Sequence, residues 1–194
     1  MEWQLLGPVP AEELRRLLSI ARRRTFGRGE VVFHRGDPAD SLHLVAKGRF
    51  AVRIVTPLGD SALLGIRGPG SAFGELALLE EAGTRSATVS ALEPAETHAV
   101  YRTDFARARR EFPGVDAVLA ALLAEEVRRL STRLVEAHYV DAETRVLRRL
   151  REAAEQYAGG GADRVVVPLT QEDIAGLAGT SRATVNRVLR DESG

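Results

Sequence analysis

Residues 21–101 contain six short runs rich in valine, isoleucine, leucine and phenylalanine, and this texture is the strongest constraint on the fold. Segments with glycine, proline and aspartate separate the runs, which read EVVFH, SLHLVA, FAVRIVT, SALLGI, RSATVSAL and THAVYR. Many short strands at regular turn spacing are typical of a β-sandwich, a jelly roll or a barrel. The sequence therefore predicts a β core for this part of the chain.

Helical patterns flank the predicted β core. The spacing of apolar residues predicts four helices, over residues 10–20, 102–111, 113–139 and 142–157. Asp141 precedes the fourth pattern and is a preferred residue type for the N-cap position. The third helix would be about 40 Å long at ~1.5 Å per residue, which is more than a compact small domain needs.

The third helix carries an apolar stripe with steps of four and three residues, formed by Leu119, Leu123, Val127, Leu130 and Leu134. This spacing is typical of a helix that packs against a parallel partner helix. We therefore expect a homodimer through residues 113–139. The alternative is that the stripe packs only on the β core of its own chain.

The segment TQEDIAGLAGTSRATVNRVLRD, residues 170–191, carries two short helical patterns joined by a glycine turn. Thr170 and Asp173 have nearly the spacing and types of a capping box. Gly179 ends the first helix, and Ser181 begins the second. Two short helices with a tight turn and a basic outer face predict a helix-turn-helix. The run RVVVPL just before it predicts a strand.

One polar constellation, Gly74, Glu75, Arg85 and Ser86, indicates a ligand. Gly74 allows close approach to the backbone where a short helical turn begins, and the first N–H groups of such a turn bind anions. Arg85 can form a forked pair with a phosphate, and Ser86 adds a hydroxyl donor. Glu75 repels a bare phosphate but accepts a hydrogen bond from a sugar hydroxyl. A cyclic nucleotide satisfies all four residues; the alternative is a structural ion pair between Glu75 and Arg85.

The segment FGELALLEEAGTRSATV resembles the phosphate-binding cassette of cyclic-nucleotide-binding domains. The order of helix, jelly roll, long helix and helix-turn-helix is similar to the cyclic-AMP receptor protein (Crp/Fnr) family of bacterial transcription factors. The resemblance implies an α+β fold. Its parts are an N-terminal double-stranded β-helix (jelly roll) with flanking helices, a long dimerisation helix, and a C-terminal winged-helix-type helix-turn-helix that lacks its wing in this chain. The expected domains are residues 1–112, 113–139 and 140–194.

By this resemblance, a cyclic nucleotide contacts Gly74, Glu75, Leu76, Arg85 and Ser86. The carboxylate takes the ribose hydroxyl, the guanidinium and the serine take the cyclic phosphate, and the backbone completes the site. The family also reads the base with hydroxyls on the long helix, a place that Ser131 and Thr132 occupy in this sequence. Leu130 stands where another hydroxyl is frequent, and this departure from the family pattern leaves the identity of the base open. Cyclic AMP is the expected effector, and cyclic GMP stays an alternative.

The second helix of the predicted helix-turn-helix would enter the major groove of DNA. The residues expected to face DNA on it are Ser181, Arg182, Ala183, Asn186, Arg187 and Arg190. By resemblance, Arg182 and Arg187 occupy positions that read bases, and arginine pairs well with guanine. Thr170 and Gln171 begin the first helix and are placed for backbone phosphates, which position the protein without specifying sequence.

The sequence thus predicts a homodimeric, DNA-binding transcriptional regulator that is gated by a cyclic nucleotide. Its expected partner is a double-stranded DNA operator, with RNA polymerase as a second candidate. The alternative is a module of the same fold that binds a nucleotide or a partner protein but is ligand-independent or does not bind DNA. That alternative comes from the missing wing after the second helix.

Composition limits other functions. Lys+Arg and Asp+Glu both number 27, so a nucleic-acid partner requires a local basic patch. The sequence has no cysteine, which excludes disulfides and thiolate metal sites. The first residues lack the blocks of a signal peptide, and no apolar run approaches the ~18 residues of a membrane span, so a cytoplasmic protein is expected. The four histidines are scattered and no catalytic constellation stands out, so neither a metal nor an enzymatic activity is expected.

Overall fold

The computed structural model describes residues 10–55, 61–79, 82–158 and 165–191. These residues form two compact units. The first unit lies within residues 1–52 and 66–129, and the second unit lies within residues 53–65 and 130–194. The three domains expected from the sequence stay a prediction.

Strands fill the part of the chain where the sequence predicts a β core. In the described residues they are β1 Arg22–Phe26, β2 Val31–Phe33, β3 Ser41–Lys47, β4 Phe50–Val55, β5 Ser61–Arg67, β6 Ala72–Phe73, β7 Thr88–Ala91 and β8 Ala95–Tyr101. They form two four-stranded sheets, in the orders β1–β8–β3–β6 and β2–β7–β4–β5. The pairings β1–β8, β3–β8, β3–β6 and β2–β7 are antiparallel. The two sheets and their non-sequential strand order confirm the predicted jelly-roll type of core.

The sequence pattern misses two of these strands, β1 and β6. Strand β1 reads RRRTF, and only Phe26 is buried in it. It lies at the edge of its sheet, where charged side chains protect the unpaired backbone, so an apolar run is absent. Strand β6 has only the residues Ala72 and Phe73, which is too short for an alternating pattern to show.

The helices agree closely with the sequence pattern. They are α1 Ala11–Ile20, α2 Arg102–Glu111, α3 Asp116–Tyr139, α4 Ala142–Tyr157, α5 Gln171–Ala178 and α6 Arg182–Asp191, with 3₁₀ helices at Glu75–Leu78 and Pro113–Val115. Asp141 caps α4 as predicted, because its Oδ1 accepts a hydrogen bond from the Thr144 backbone N–H at 2.9 Å.

The predicted strand in the segment RVVVPL is wrong for residues 165–169, which carry no strand. Val166 is 86% exposed there, and the Leu169 backbone N–H donates to the Val167 carbonyl at 2.9 Å. A strand requires a neighbour that takes its backbone hydrogen bonds. None of the strand pairings in the described chain includes this segment, so its β-branched residues do not suffice to make it one.

The core of the first unit has two parts, and the segment with the predicted ligand residues Gly74 and Glu75 runs between them. One part joins α1, α2 and the start of α3 to the sheet, through Leu17, Leu42, Val100, Phe105 and Val118. The other part lies within the β core and is rich in aromatic residues, among them Phe26, Phe50 and Phe73. Phe73 and Leu78 belong to different parts, so the short segment between these two residues is fixed at both ends.

The second unit is built around α4, α5 and α6. Its buried apolar residues are Val146, Ile174, Ala175, Ala178, Val185 and Val188. The C-terminal end of α3 is tied to α4 by a buried ion pair between Glu136 and Arg149. Arg145 on α4 donates to the carbonyls of Ala178 and Gly179 at 2.8 and 3.2 Å. This side chain therefore supplies hydrogen-bond donors to backbone carbonyls at the end of α5.

The structure divides the predicted apolar stripe of α3 into two parts. Leu119 is buried in the core of the first unit, and Leu123 packs against that core. Val127, Leu130 and Leu134 are 62%, 53% and 60% exposed. The start of the stripe therefore packs on its own chain, as the alternative to a dimer predicts for the whole stripe. The rest leaves a row of large apolar side chains in contact with water.

Candidate functional site

Gly74 is the turning point of the predicted ligand segment. Its φ of 81° is in the left-handed region, and the 3₁₀ helix Glu75–Leu78 begins directly after it. A Cβ at this position would lie 2.7 Å from Arg85 Nη1 and 2.9 Å from the Ser41 carbonyl oxygen. Only glycine therefore fits, for reasons of both backbone conformation and space.

The Arg85 guanidinium is buried beside this glycine. Nη1 donates to the Ser41 carbonyl at 2.7 Å, and Nη2 donates to Asp40 Oδ1 at 3.0 Å and to Ser41 Oγ at 2.9 Å. The guanidinium carbon lies 4.0 Å from the centroid of the Phe33 ring. Among the described residues, the carboxylate that pairs with Arg85 is that of Asp40, so the alternative of an ion pair with Glu75 is wrong.

No pattern in the sequence indicates Asp40, Ser41 or Phe33 as neighbours of Arg85. Asp40 lies immediately before β3 and Ser41 is the first residue of that strand, more than 40 residues from the arginine, and no local pattern marks such a contact. Burial lowers the pKa of the Arg85 guanidinium, and Asp40, Asp37 and Glu75 oppose that change. Three acidic side chains thus help to keep the guanidinium charged in its buried position.

One N–H donor of Arg85 has no acceptor among the described residues, which indicates room for an anionic ligand. Its Nε is buried and has no hydrogen-bond partner in the described chain. A buried donor without an acceptor costs about 1–3 kcal/mol, more if it is charged. A phosphate oxygen would supply the acceptor, and the exposed residue Ser86 follows immediately in the sequence. These residues therefore fit the cyclic phosphate that the sequence predicts, although their individual roles stay predictions.

A buried hydrogen-bonded chain extends from Arg85 into the β core. Ser41 Oγ lies 3.3 Å from His43 Nε2, and His43 Nδ1 lies 3.0 Å from Thr97 Oγ1. Burial, with smaller contributions from Arg85 and Arg24, lowers the pKa of His43 to about 3, while a nearby carboxylate opposes this change. The imidazole is therefore neutral at pH 7, and no pattern in the sequence marks it.

This neutral histidine predicts that stability falls as the pH decreases below 6.5. The pKa of His43 in the folded chain lies below its unfolded value of 6.5, so its contribution is fully present above pH 6.5 and declines toward pH 3. Between pH 6.5 and pH 5 we expect a loss of about 2 kcal/mol in the free energy of unfolding. Denaturant titrations of the wild type and of His43→Gln at both pH values measure it. Equal pH dependence in the two proteins would contradict the assignment.

An open cavity of about 160 Å³ lies beside Glu75 within the first unit. Its lining comes from β5, from the segment after it and from α3, and comprises Ile66, Arg67, Ser71, Ala72, Glu75, Leu122, Glu125, Glu126 and Arg129. Arg67 Nη2 donates to Glu126 Oε2 at 3.1 Å. Glu75 therefore lines this cavity and directly follows Gly74, the glycine that contacts Arg85.

The remaining predicted ligand residues are Leu76, Ser131 and Thr132. Leu76 is in the 3₁₀ helix, and its side chain is 42% exposed. Ser131 and Thr132 are exposed residues of α3 and belong to the second unit, whereas Gly74, Glu75, Arg85 and Ser86 belong to the first. The structure therefore brings together the predicted phosphate and ribose residues, and it does not test the base-reading role of the two hydroxyls.

The start of each helix in the helix-turn-helix uses its predicted DNA-facing hydroxyl as a cap. Thr170 and Asp173 form a complete capping box, with the Asp173 N–H donating to Thr170 Oγ1 at 3.1 Å. Ser181 Oγ accepts a hydrogen bond from the Thr184 N–H at 3.2 Å. Gln171 Oε1 lies 3.5 Å from Arg182 Nε. Both capping hydroxyls also stabilise the helices that would approach DNA.

The outer face of α6 carries the predicted base-reading residues. Arg182, Ala183, Arg187 and Arg190 are exposed and Asn186 is half-buried, while Val185 and Val188 on the opposite face are buried. Arg187 forms an ion pair of 2.6 Å with Glu143 at the start of α4, and both side chains are more than half exposed. Such a surface pair contributes at most about 1 kcal/mol, so DNA can displace the glutamate.

The described residues contain neither a cluster of metal-ligand side chains nor a helix suited to a membrane. Within residues 10–55, 61–79, 82–158 and 165–191, no group of three or more histidine, aspartate or glutamate side chains is arranged to hold a metal ion. In the same part of the chain, none of the helices combines the length and the apolar character needed to cross a membrane.

Comparison with known proteins gives the two parts of the chain separate matches. A family model described as a cyclic nucleotide-binding domain matches residues 23–112, and one described as a Crp-like helix-turn-helix domain matches residues 144–191. The chain is 36% identical to the cyclic AMP receptor protein of Thermus thermophilus, over 95% of this chain and 83% of that protein. It is 33% identical to the CRP-like cAMP-activated global transcriptional regulator of Mycobacterium tuberculosis, over 86% and 75%.

Solved structures show the same similarity. The catabolite activator protein of Thermus thermophilus matches with a TM-score of 0.60 and 34% identity, covering 97% of this chain and 86% of that chain. The regulator CLP of Xanthomonas campestris, described as c-di-GMP responsive, matches with a TM-score of 0.77 over 95% and 92% of the two chains. Its identity is 22%, so this second likeness supports the fold alone.

Proposed function

Because the chain belongs to the cyclic-AMP receptor protein (Crp/Fnr) family of transcriptional regulators, we propose that it binds operator DNA as a homodimer in response to cyclic AMP. The observation that carries the proposal is the buried Arg85 Nε without an acceptor, beside a glycine that no other residue can replace. The relatives named as cyclic-AMP-activated regulators support the choice of effector. Calorimetric titration of the full chain with cyclic AMP tests it, and absence of binding at millimolar ligand would refute it.

The proposed binding mode assigns one chemical task to each residue of the segment. The cyclic phosphate lies against Arg85 Nε and the Ser86 hydroxyl, with the backbone from Gly74 to Leu76 close to it. The ribose hydroxyl donates to the Glu75 carboxylate, which is next in sequence to the glycine that contacts Arg85. The ligand supplies the negative charge and the acceptor that the buried guanidinium requires.

The proposed dimer is formed by α3. Val127, Leu130 and Leu134 are separated by three and four residues and are each more than half exposed, which fits a seam between two parallel helices. At its C-terminal end, α3 is connected to α4 through the ion pairs of Glu136 with Arg148 and Arg149. Gating requires that the nucleotide bind the DNA-competent arrangement more tightly than the other arrangement.

DNA binding is proposed for α6, with Arg182 and Arg187 on base edges. Arginine donates two hydrogen bonds to O6 and N7 of guanine, which no other base pair offers in the same geometry. Ala183 places a small apolar side chain between the two arginines, so it makes no polar contact with a base edge. Gln171 at the start of α5 is placed for a backbone phosphate.

Replacing Arg187 with alanine should weaken binding to the preferred palindromic site by about 1–3 kcal/mol and relax selectivity at one base pair per half-site. The reason is the loss of a forked contact with guanine. Selection of sites from a random DNA pool with cyclic AMP present, followed by fluorescence anisotropy, measures both effects.

The matched control for this experiment is Glu143→Gln, which breaks the same ion pair from its other side. It should keep site selectivity, and Gln171→Ala should weaken all sequences alike. An enriched site that is indifferent to Arg182 and Arg187, or no two-fold-symmetric site at all, would show that α6 does not read DNA.

The cellular location, the roles of the domains and a further partner complete the proposal. We propose that the protein acts in the cytoplasm, that residues 1–112, 113–139 and 140–194 serve as effector domain, dimerisation helix and DNA-binding domain, and that RNA polymerase is a further partner. The function of its relatives is regulation of transcription, and no catalytic step enters the proposal.

A further inference from the structure

With the ribose hydroxyl on Glu75, as proposed above, the base of the nucleotide reaches the cavity that this residue lines, and the lining of that cavity is strongly charged. The charged residues besides Glu75 are Arg67, Glu125, Glu126 and Arg129, and all of them belong to the first unit. Within the first unit, the base therefore meets guanidinium and carboxylate groups.

Arg67 on β5 is the most enclosed of these charged groups. Its side chain is 14% exposed, and its Nη2 donates to Glu126 Oε2 on α3 at 3.1 Å. Burial and the nearby Arg129 lower the pKa of the guanidinium, while the negative charges of Glu126 and Glu75 oppose that change. A guanidinium has several N–H donors, so Arg67 can hold Glu126 and still donate to a ligand.

Arg67 and Glu126 offer a donor and an acceptor side by side, and Arg129 holds the same carboxylate from the other side of the pair, with its Nε donating to Glu126 Oε2 at 3.0 Å. The outer edge of guanine presents two acceptors, N7 and O6, which match a guanidinium. The same edge of adenine presents N7 and an amino donor, which match one N–H and a carboxylate. Leucine in place of Arg67 would offer neither purine a hydrogen bond. The ion pair therefore suits both bases, and its arginine favours guanine.

We propose that the Arg67–Glu126 pair reads the base of the cyclic nucleotide, and that Arg67 gives this chain affinity for cyclic GMP in addition to cyclic AMP. The inference rests on the proposed nucleotide-binding function and adds a residue that determines base specificity. It places this contact on β5 and the first part of α3.

The test is calorimetric titration of the full chain and its variants with cyclic AMP and cyclic GMP. In Arg67→Leu, the ratio of the dissociation constant for cyclic GMP to that for cyclic AMP should rise about tenfold over the wild type. Arg67→Lys retains charge but loses the forked geometry, so it should give an intermediate ratio. The control is Arg128→Leu, which removes a 65% exposed arginine of α3 and should leave the ratio unchanged.

Each outcome decides the inference. A rise in the ratio that is confined to the Arg67 variants supports it. A ratio unchanged in Arg67→Leu, an equal loss for both nucleotides, or no binding of cyclic GMP by the wild type overturns it, while cyclic AMP binding leaves the proposed function intact. If the wild type binds neither nucleotide, the proposed function fails together with the inference. Melting curves of each variant separate a loss of folding from a loss of ligand contact, and Arg67→Lys serves as the test if Arg67→Leu is unfolded.

Discussion

Replacing Arg85 with leucine is expected to lower the affinity for cyclic AMP about 100-fold. Charge-assisted hydrogen bonds contribute roughly 1.5–3 kcal/mol each, and loss of the guanidinium removes at least one of them together with the charge that faces the phosphate. The substitution also leaves the Ser41 carbonyl without its donor, which costs about 1–3 kcal/mol of stability. Calorimetric titration gives the first effect, and thermal melting in the absence of ligand gives the second.

A matched variant separates the contact of Arg85 with the ligand from its contribution to stability. Asp40→Asn breaks the same 3.0 Å ion pair, but it leaves the guanidinium in place and removes a carboxylate that competes with the phosphate. Its affinity for cyclic AMP should equal or exceed that of the wild type. Equal affinities of wild type and Arg85→Leu, or parallel losses in both variants, would show that the arginine is structural and that the ligand binds elsewhere.

Introducing glutamate at both Leu130 and Leu134 is expected to abolish the dimer and to reduce DNA affinity by about 100-fold or more. These side chains are 53% and 60% exposed, so the monomer tolerates the charges, whereas a helix–helix seam would bury four like charges without partners. A monomer engages one half-site, and loss of the linked second contact lowers affinity by roughly 10²–10⁴. Light scattering measures the mass, and anisotropy on the palindromic site measures the affinity.

The control for this prediction adds the same charge to another face of the helix. Arg128→Glu places one glutamate at a 65% exposed position and should leave the dimer intact. Leu123 is a poor choice for the experiment, because it packs against the core of its own unit and its replacement would confuse folding with assembly. A wild type that is monomeric at tens of micromolar would refute the proposed seam.

The helices of this protein could be predicted from the sequence because their determinants are local. The end of α3, the whole of α4 and the capping box of α5 follow from apolar spacing and from cap residues within three or four positions. The edge strand β1 escaped prediction because its environment depends on which strands surround it. The strand predicted after residue 164 is wrong for the same reason, since the valines of this segment have no sheet to join in the described chain.

The grouping of Gly74, Glu75, Arg85 and Ser86 could also be predicted, since all four lie in one short segment. Only the tertiary structure decided what surrounds them. Asp40 pairs with Arg85 across 45 residues of sequence, and Arg67 pairs with Glu126 across 59. No periodic pattern links such distant positions, because these contacts form when strands and helices that are remote in the chain pack together. The sequence by itself therefore determined the helices, their caps and the ligand class, and packing decided which charges face one another.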